Sequence, residues 1–158
     1  AAMNPCPCGY HGDAARECRC TPEQIRRYQT KVSGPFMDRI DLRITLGREK
    51  ISLRPAERPA ETSAQVRARI THSVARRKER CEHLPNARLD PEQVRRWCWP
   101  DKAGLELLEQ AAEKFTLSRR GCDRTLRVAR TIADMAGAEA VTQAHIAEAL
   151  SFRVGIET

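Results

Sequence analysis

The sequence has no long apolar run and no recognisable leader segment. No stretch approaches the roughly 18 consecutive apolar residues that a transmembrane helix needs. The first residues, Ala1-Ala2-Met3-Asn4, have neither the charged segment nor the apolar core of a secretory signal peptide. We therefore expect a soluble, cytoplasmic protein without a membrane partner.

Two motifs of nucleotide hydrolysis are also absent. The sequence has no G-x-x-x-x-G-K-[ST] loop, whose backbone amides and lysine hold the β- and γ-phosphates, and no acidic motif that would hold Mg²⁺ beside it. We expect that the chain alone neither hydrolyses ATP nor binds it tightly. No internal repeat or low-complexity segment is present.

Positive charge and cysteine are abundant. The 158 residues include 28 Lys and Arg against 21 Asp and Glu, a formal net charge of +7. This charge favours polyanions such as nucleic acid or nucleotide phosphates, although a solvated, arginine-rich helix surface explains it equally well. The seven cysteines fit poorly with a fully paired secreted scaffold, and their clustering near the N-terminus indicates a metal site in a reducing compartment.

The pattern of elements predicts a mostly α fold. Residues 1–53 are expected to be the end of an α/β core, with one or two strands and a cysteine loop. Residues 54–61, which contain two prolines and alternating charge, are expected to be a linker. Residues 62–158 are expected to form a compact helical bundle.

Two segments have the character of strands. The apolar stub before Asn4 is typical of the last residues of a strand that enters a loop. Residues 40–46 alternate apolar and polar side chains, which predicts a strand with one buried face. Such a strand needs partners, and apart from the stub this chain offers none.

Capping residues mark where the helices begin. Thr21 and Thr62 each stand three residues before a glutamine, and Pro22 and Pro91 occupy first helical positions. Together with the apolar spacing, these signals predict helices over approximately 22–31, 62–81, 91–97, 105–112, 118–136 and 142–150. We expect the indole rings of Trp97 and Trp99 to close the bundle core, and Cys81, Cys98 and Cys122 to be structural.

Four cysteines are candidates for metal binding. Cys6, Cys8, Cys18 and Cys20 form two C-x-C pairs separated by nine residues, and four thiolates brought together by one loop satisfy a tetrahedral zinc ion. Because C-x-C holds its sulfurs more tightly than the C-x2-C of most zinc knuckles, free thiols and disulfides stay open as alternatives. His11 could replace one sulfur, although a plain loop histidine is the simpler interpretation.

Asn4 and Arg39 are candidates for contact with nucleotide phosphates. Asn4 follows the apolar stub, and an amide at a strand tip senses phosphate in P-loop ATPases, but an Asn before Pro is also a turn former. Arg39 lies between two aspartates, where it can form a local ion pair. Alternatively, its planar guanidinium can act as an arginine finger on the phosphoryl group held by a neighbouring subunit.

A cluster of arginines falls on the helix that begins after Ser118. Arg120 lies in the first turn, where the helix dipole favours a phosphate, and Arg119 is the neighbour with which its role is most easily confused. Arg127 and Arg130 lie within one turn of Asp123 and Asp134, so solvation or local pairing explains them as well. The density of the cluster indicates that an anion binds there.

Three segments together resemble one protein family. They read AAMNPCPCGY at residues 1–10, SGPFMDRID at 33–41, and LSRRG with RVARTIAD at 117–121 and 127–134. In this order they look like the magnesium-chelatase-like AAA+ ATPases of the competence-protein (ComM) type, over nearly the whole chain. The paired C-x-C motifs are also family-like and separate this type from true magnesium-chelatase ATPase subunits.

The resemblance implies roles for single residues. Asn4 matches sensor 1, which helps to position the water that attacks the γ-phosphate; Arg39 matches the arginine finger; and Arg120 matches sensor 2. Family members carry the P-loop and the Mg²⁺-binding motif upstream. The arginines of this chain are therefore expected to complete a site for ATP and Mg²⁺ that is built elsewhere.

The resemblance also implies partners and an activity for a complete protein. It would be an ATP-driven DNA motor of the helicase or branch-migration kind, working as a homo-oligomeric, hexameric ring, and zinc would be held by the four cysteines. A stand-alone zinc-containing nucleic-acid-binding module and a magnesium-chelatase ATPase subunit are the alternatives. Whether Arg120 acts on its own subunit's nucleotide or on its neighbour's is left open.

Overall fold

The computed structural model describes residues 1–47, 61–81 and 84–154, with the backbone alone at Val154. In this part of the chain it contains seven α-helices and one short 3-10 helix at Asn86–Arg88. The α-helices are α1 Pro22–Gln29, α2 Gly34–Met37, α3 Ser63–Arg80, α4 Pro91–Trp97, α5 Lys102–Lys114, α6 Arg119–Met135 and α7 Gln143–Val154. The expectation of a mostly helical fold is confirmed.

The predicted starts of α1, α3, α4 and α6 are correct, because a capping side chain lies close to each of them in the sequence, whereas α5 begins at Lys102, three residues before its predicted start. The hydroxyl of Thr21 accepts from the amide of Gln24, whose side chain accepts from the amide of Thr21 in return. Thr62 and Asp90 make the same reciprocal pair at α3 and α4. Ser118 caps α6 by accepting from the amide of Gly121 at 3.0 Å.

The two predicted strands are not formed. Residues 1–4 and 42–47 have no regular secondary structure, and the described residues contain a single isolated bridge, between Pro100 and Val141. Alternation of apolar and polar residues indicates which side chains share a face, but a strand also needs a second strand beside it, and the described residues supply none to these two segments. Leu42, Ile44 and Leu46 are consequently 52%, 69% and 87% exposed.

A short helix that was not predicted follows α1. It begins at Gly34, and the hydroxyl of Ser33 accepts a hydrogen bond from the amide of Phe36 at 3.3 Å. Pro35 stands at a first-turn position, where its missing N–H is harmless.

The described residues fall into two units. The first unit comprises residues 1–40 and 45–47, and the second comprises residues 41–44, 61–81 and 84–154. Most of the predicted linker, residues 54–60, lies outside the described residues. Segment 41–44 therefore belongs with the helical bundle, whereas the residues on either side of it belong with the cysteine loop.

Helix α6 is the central helix of the second unit. It packs against α7, α3, α4 and the 3-10 helix, while α5 packs against α7. The buried apolar side chains form one cluster, made of Leu89, Val94, Cys98, Leu108, Ala111, Leu126, Ala129, Ala133, Val141, Ile146, Ala149 and Leu150. The second unit thus has a hydrophobic core of its own.

A buried polar network lies beside this core. The carboxylate of Asp134 accepts from Arg80 at 2.6 and 2.8 Å, from Asn86 at 2.8 Å and from Arg130 at 3.1 Å. Arg130 also donates to the carbonyls of Ala138 and Glu139. Burial raises the pKa of Asp134, but these hydrogen bonds and the charge of Arg130 outweigh it and hold the pKa below its usual value.

The expectation for the tryptophans is half correct. Trp97 is partly buried against the core, but Trp99 is 46% exposed. Cys98, which lies between them, is fully buried and takes the inward position, so the ring of Trp99 lies at the surface. None of the described helices is both long enough and apolar enough to cross a bilayer.

Candidate metal centre and nucleotide-sensing residues

The cysteine loop brings four sulfurs together. The Sγ atoms of Cys6, Cys8 and Cys18 lie 3.4, 3.7 and 3.6 Å apart, and those of all four candidate cysteines lie within 4.8 Å of one another. Tetrahedral zinc with bonds of about 2.3 Å places its sulfurs about 3.8 Å apart, whereas a disulfide needs about 2.05 Å. The four cysteines form no disulfide, and their sulfurs lie at the spacing that a zinc ion requires.

Backbone geometry holds the loop in this shape. The chain turns at Gly9, whose φ of 82° lies in the left-handed region and whose amide donates to the carbonyl of Cys6 at 3.0 Å. The amides of Tyr10 and Arg19 donate to Cys8 and lower the pKa of its thiol to about 6. These amides favour the thiolate, which is the form that binds metal.

Without a cation the four sulfurs are not all thiolates, because adjacent thiolates repel one another. The amide of Cys20 lowers the pKa of the Cys18 thiol, but burial and the adjacent Cys8 and Cys6 sulfurs outweigh it and raise the pKa to about 12. A divalent cation at the centre reverses this repulsion, since it stabilises every thiolate around it. The donor set therefore fits a metal ion better than four isolated thiols.

His11 is not part of this cluster. Its backbone amide, rather than its ring, approaches the sulfur of Cys6, and the group of ligand atoms contains only the four cysteines among the described residues. The alternative in which its imidazole replaces a sulfur is not supported by this geometry.

A basic groove adjoins the cysteines. It is lined by the loop and by α1, and its members include three cations, Arg19, Arg27 and Lys31, together with Tyr28. Four thiolates around one Zn²⁺ carry a net charge of −2, so neighbouring cations stabilise the loaded form.

Asn4 and Arg39 both lie in the first unit and both are exposed. Asn4 precedes the cysteine loop and lies at no strand end, because the stub is not a strand. Arg39 follows α2, and its amide donates to the carbonyl of Phe36 at 2.9 Å. Of its two neighbouring aspartates, Asp41 pairs with Arg124 of α6, with the Arg124 Nη1 atom 2.6 Å from the Asp41 Oδ1 atom.

The arginines of α6 separate into engaged and unengaged side chains. Arg124 is paired with Asp41, Arg127 donates to the carbonyl of Leu89 at 2.8 and 3.2 Å, and Arg130 is buried against Asp134. Arg119 makes a long contact of 3.4 Å with Asp123. Arg120 is exposed, and its guanidinium has no hydrogen-bond or ion-pair partner among the residues that the structure describes.

The first turn of α6 is crowded by a second arginine. A Cβ built on Gly121 would come within 3.1 Å of the Nη2 atom and 3.4 Å of the Nε atom of Arg153, which is 3% exposed. The glycine in the LSRRG segment therefore leaves room for the Arg153 guanidinium. The positive end of the α6 dipole, Arg120 and Arg153 thus lie around the same turn.

Three of these contacts were not predicted from the sequence. They are the ion pair of Asp41 with Arg124, the packing of Arg153 on Gly121, and the hydrogen bonds from Arg80 and Asn86 to Asp134. Each connects residues that are far apart in the chain. The only local signal was the i, i+4 spacing of Arg130 and Asp134, and that pairing is confirmed.

Two family models match successive parts of the chain. The family model described as magnesium chelatase, subunit ChlI, matches residues 1–53, and the one described as magnesium chelatase, subunit ChlI C-terminal, matches residues 60–153. The chain is 40% identical over 154 residues to Competence protein ComM of Haemophilus influenzae, and 38% identical over 154 residues to Uncharacterized protein YifB of Escherichia coli. Each alignment covers 97% of this chain but 30% of the relative.

Proposed function

The chain belongs to the magnesium-chelatase-like AAA+ family of the ComM type, and from this membership we propose that it is the nucleotide-sensing and lid part of an ATP-driven ring motor. In this proposal the phosphate-gripping loop and the Mg²⁺-binding carboxylate lie in another part of a longer protein. Its relatives are long enough to contain such a part, because the chain spans about 30% of their length.

The proposal assigns three residues to the nucleotide. Asn4 acts as sensor 1 on the attacking water, Arg39 reaches the phosphoryl group bound by a neighbouring subunit, and Arg120 acts as sensor 2 from the lid. Each guanidinium neutralises negative charge that grows on the phosphoryl oxygens in the transition state. In a homo-oligomeric ring, such a site is complete only at a subunit boundary.

The observation that carries the proposal is the environment of Arg120. It is exposed in the first turn of α6, where unsatisfied backbone amides and the helix dipole favour an anion. Its guanidinium is without a partner in the described part of the chain, whereas Arg124, Arg127 and Arg130 are engaged. A cation that no described residue neutralises, beside an anion-favouring helix end, suits a nucleotide phosphate.

We test this role in a fusion that joins this chain to the P-loop part of the Haemophilus influenzae relative, in place of the segment that it matches. Arg120→Ala is expected to lower kcat for ATP hydrolysis about 100-fold, because it removes one preorganised donor to the transition state. Arg119→Ala is the matched control and is expected to change kcat less than about threefold, since its main contact is an exposed pair. Equal losses for the two variants would refute the assignment.

The four cysteines are proposed to hold a structural Zn²⁺. Sulfur spacing, backbone amides at the thiolates and the adjacent cations all favour it. With four protein ligands the ion has no open position, so it supplies loop stability rather than chemistry. Elemental analysis of the purified chain is expected to give about one zinc per chain, reduced to none in Cys6→Ser and unchanged in Cys122→Ser. Absence of metal in the unaltered chain would contradict the proposal.

Nucleic acid is proposed as the substrate on which the complete motor works. The net charge of +7 suits a polyanion. The competing function, a stand-alone zinc-containing nucleic-acid-binding module, predicts that the chain alone binds DNA with a steep salt dependence. The motor proposal predicts weak binding by the chain alone and ATP-dependent binding by the fusion. Fluorescence anisotropy with a labelled single-stranded oligonucleotide, at 50 and 200 mM salt, separates the two.

A further inference from the structure

Segment 41–44 is fastened to the helical bundle at two points. The Asp41 carboxylate and the Arg124 guanidinium form an ion pair with a 2.6 Å contact, between residues 83 positions apart. Two residues later, the amide of Arg43 donates to the carbonyl of Phe152, in α7, at 2.7 Å. We call these two contacts together the clasp.

The clasp lies outside the hydrophobic core of the bundle. The core cluster lies entirely between Leu89 and Leu150, so segment 41–44 contributes nothing to it. Asp41 and Arg124 keep 42% and 25% of their side chains exposed, and a pair of such exposure contributes only about 0–1 kcal/mol to stability. The clasp instead determines the position of segment 41–44, because it fixes this short stretch of backbone against α6 and α7.

The place of the clasp on α6 connects it to the nucleotide-sensing residues. Arg120 and Arg124 are four residues apart on α6, so their side chains project from the same face of the helix, one turn apart. Asp41 follows Arg39 by two residues in the sequence. One end of the ion pair thus belongs to the helix of Arg120, and the other belongs to the segment that continues from Arg39.

We propose that Asp41 and Arg124 are positioning residues, which couple the lid helix carrying Arg120 to the backbone carrying Arg39. When a nucleotide draws Arg120 toward its phosphates, α6 moves with it, and the clasp transmits that movement to segment 41–44 and so to Arg39. This inference rests on the proposed function, since it needs both arginines to act on phosphate. It adds that the two act as a coupled pair rather than independently.

The test measures steady-state ATP hydrolysis by the fusion with Asp41→Asn and with Arg124→Gln. Each variant is expected to lower kcat about tenfold and to leave KM for ATP unchanged, because displacement of a catalytic group by about 1 Å costs up to about 100-fold, while binding depends on the P-loop. Glu61→Gln is the matched control. It breaks another exposed Arg–Glu pair, with Arg69 at 2.8 Å near the start of α3, and is expected to leave kcat unchanged.

Double variants distinguish a positioning role from a general structural effect, because a positioning residue loses its effect on kcat when the residue that it positions is removed. In an Arg39→Ala background, Asp41→Asn is expected to cause no further loss, because there is no finger left to position. Exchange of the pair, Asp41→Arg with Arg124→Asp, is expected to recover part of the lost kcat. A full tenfold loss in the Arg39→Ala background, or an unchanged kcat for Asp41→Asn while Arg39→Ala is impaired, would overturn the clasp. If neither Arg39→Ala nor Arg120→Ala lowers kcat, the proposed function itself fails.

A second measurement uses the 158-residue chain and needs no ATPase activity. Hydrogen exchange at the amide of Arg43 is expected to be slow in the unaltered chain and in Glu61→Gln, and at least about tenfold faster in Asp41→Asn, since the ion pair and the hydrogen bond to Phe152 support each other. If exchange at Arg43 is the same in all three proteins, the two contacts are independent and no clasp exists.

Discussion

The two units of this chain differ in how much apolar surface they bury. In the first unit Cys6 is the only buried residue among those described, and Met3, Phe36 and Leu46 are 50%, 48% and 87% exposed. The second unit buries twelve apolar side chains in one cluster and adds a buried network of Asp134, Arg80 and Arg130. Hydrophobic burial therefore accounts for the second unit and not for the first.

This difference identifies the unit in which the proposed Zn²⁺ would contribute most to stability. A segment of about 40 residues buries too little apolar surface to offset its conformational entropy, and small units of this kind are commonly stabilised by a metal or by disulfides. The first unit has four convergent thiols instead of a core. Binding of the proposed Zn²⁺ and ordering of the cysteine loop are therefore expected to occur together.

Removal of the proposed Zn²⁺ is expected to have the largest effect on this comparison. Treatment of the chain with a strong chelator under reducing conditions is expected to abolish hydrogen-exchange protection at Gly9 and Asp13, whose amides are hydrogen-bonded in the cysteine loop. Protection in α6 and α7 is expected to stay, because their core contains no metal ligand. Exchange followed by mass spectrometry after pepsin digestion reports both regions in one sample. Loss of protection in both regions, or in neither, would contradict the division.

The next largest effect is expected from removal of the buried Asp134 carboxylate in the helical bundle. Asp134→Ala leaves the buried guanidinium of Arg130, whose side chain is 2% exposed, without its carboxylate partner. Such a change is expected to destabilise the second unit by about 3–5 kcal/mol. Asp123→Ala, which removes a 3.4 Å pair with the 77% exposed side chain of Arg119, is the control and should cost less than about 1 kcal/mol. Denaturant unfolding followed by tryptophan fluorescence measures both, and equal costs would show that burial of the network is unimportant.

Lowering the pH is expected to reduce the stability of the second unit through the same carboxylate, but by less. The pKa of Asp134 lies below its usual 3.8, because hydrogen bonds from Arg80 and Asn86 outweigh burial. Its carboxylate therefore contributes stability that is present above pH 3.8 and is lost as the pH falls through the lower, folded-state pKa. The free energy of unfolding of the bundle is expected to fall more steeply below that pH in the unaltered chain than in Asp134→Asn. Parallel pH profiles would mean that Asp134 has the same pKa when folded and unfolded.

The two regions also differ in how much of them can be predicted from the sequence. Helix starts are local, because Thr21, Thr62 and Ser118 need only a partner three residues away, and all three were predicted correctly. The cysteine cluster was found for the same reason, since 15 residues of loop contain every ligand. The strand at 40–46 was predicted wrongly, because periodicity cannot supply the missing neighbour.

Long-range contacts limit how much of the structure can be predicted from the sequence. The partner of Asp41 is 83 residues away, and several arginines on α6 are equivalent by composition, so only the packed structure selects Arg124. The same holds for Arg80, 54 residues from Asp134. The assignments of Asn4, Arg39 and Arg120 came from the resemblance and stay predictions, to which the structure adds the environment of each side chain.

The smallest expected effect compares a glycine from each unit. A Cβ on Gly104 would lie 2.9 Å from the Pro100 Cβ atom and 3.2 Å from the backbone nitrogen of Gln143, whereas a Cβ on Gly34 meets nothing within 4 Å. In Gly104→Ala, overpacking of about 1–3 kcal/mol outweighs the gain of about 1 kcal/mol in helix propensity, so we expect a net destabilisation of about 1 kcal/mol. Gly34→Ala should change stability by less than about 0.5 kcal/mol, because the methyl group meets open space and the residue before Pro35 gains little helix propensity from a Cβ. Thermal unfolding followed by tryptophan fluorescence for Gly104→Ala, and hydrogen exchange at the amide of Phe36 for Gly34→Ala, measure the two. An unchanged unfolding temperature for Gly104→Ala would contradict this prediction, because it would mean that the junction of α5 and α7 has room for the extra methyl group.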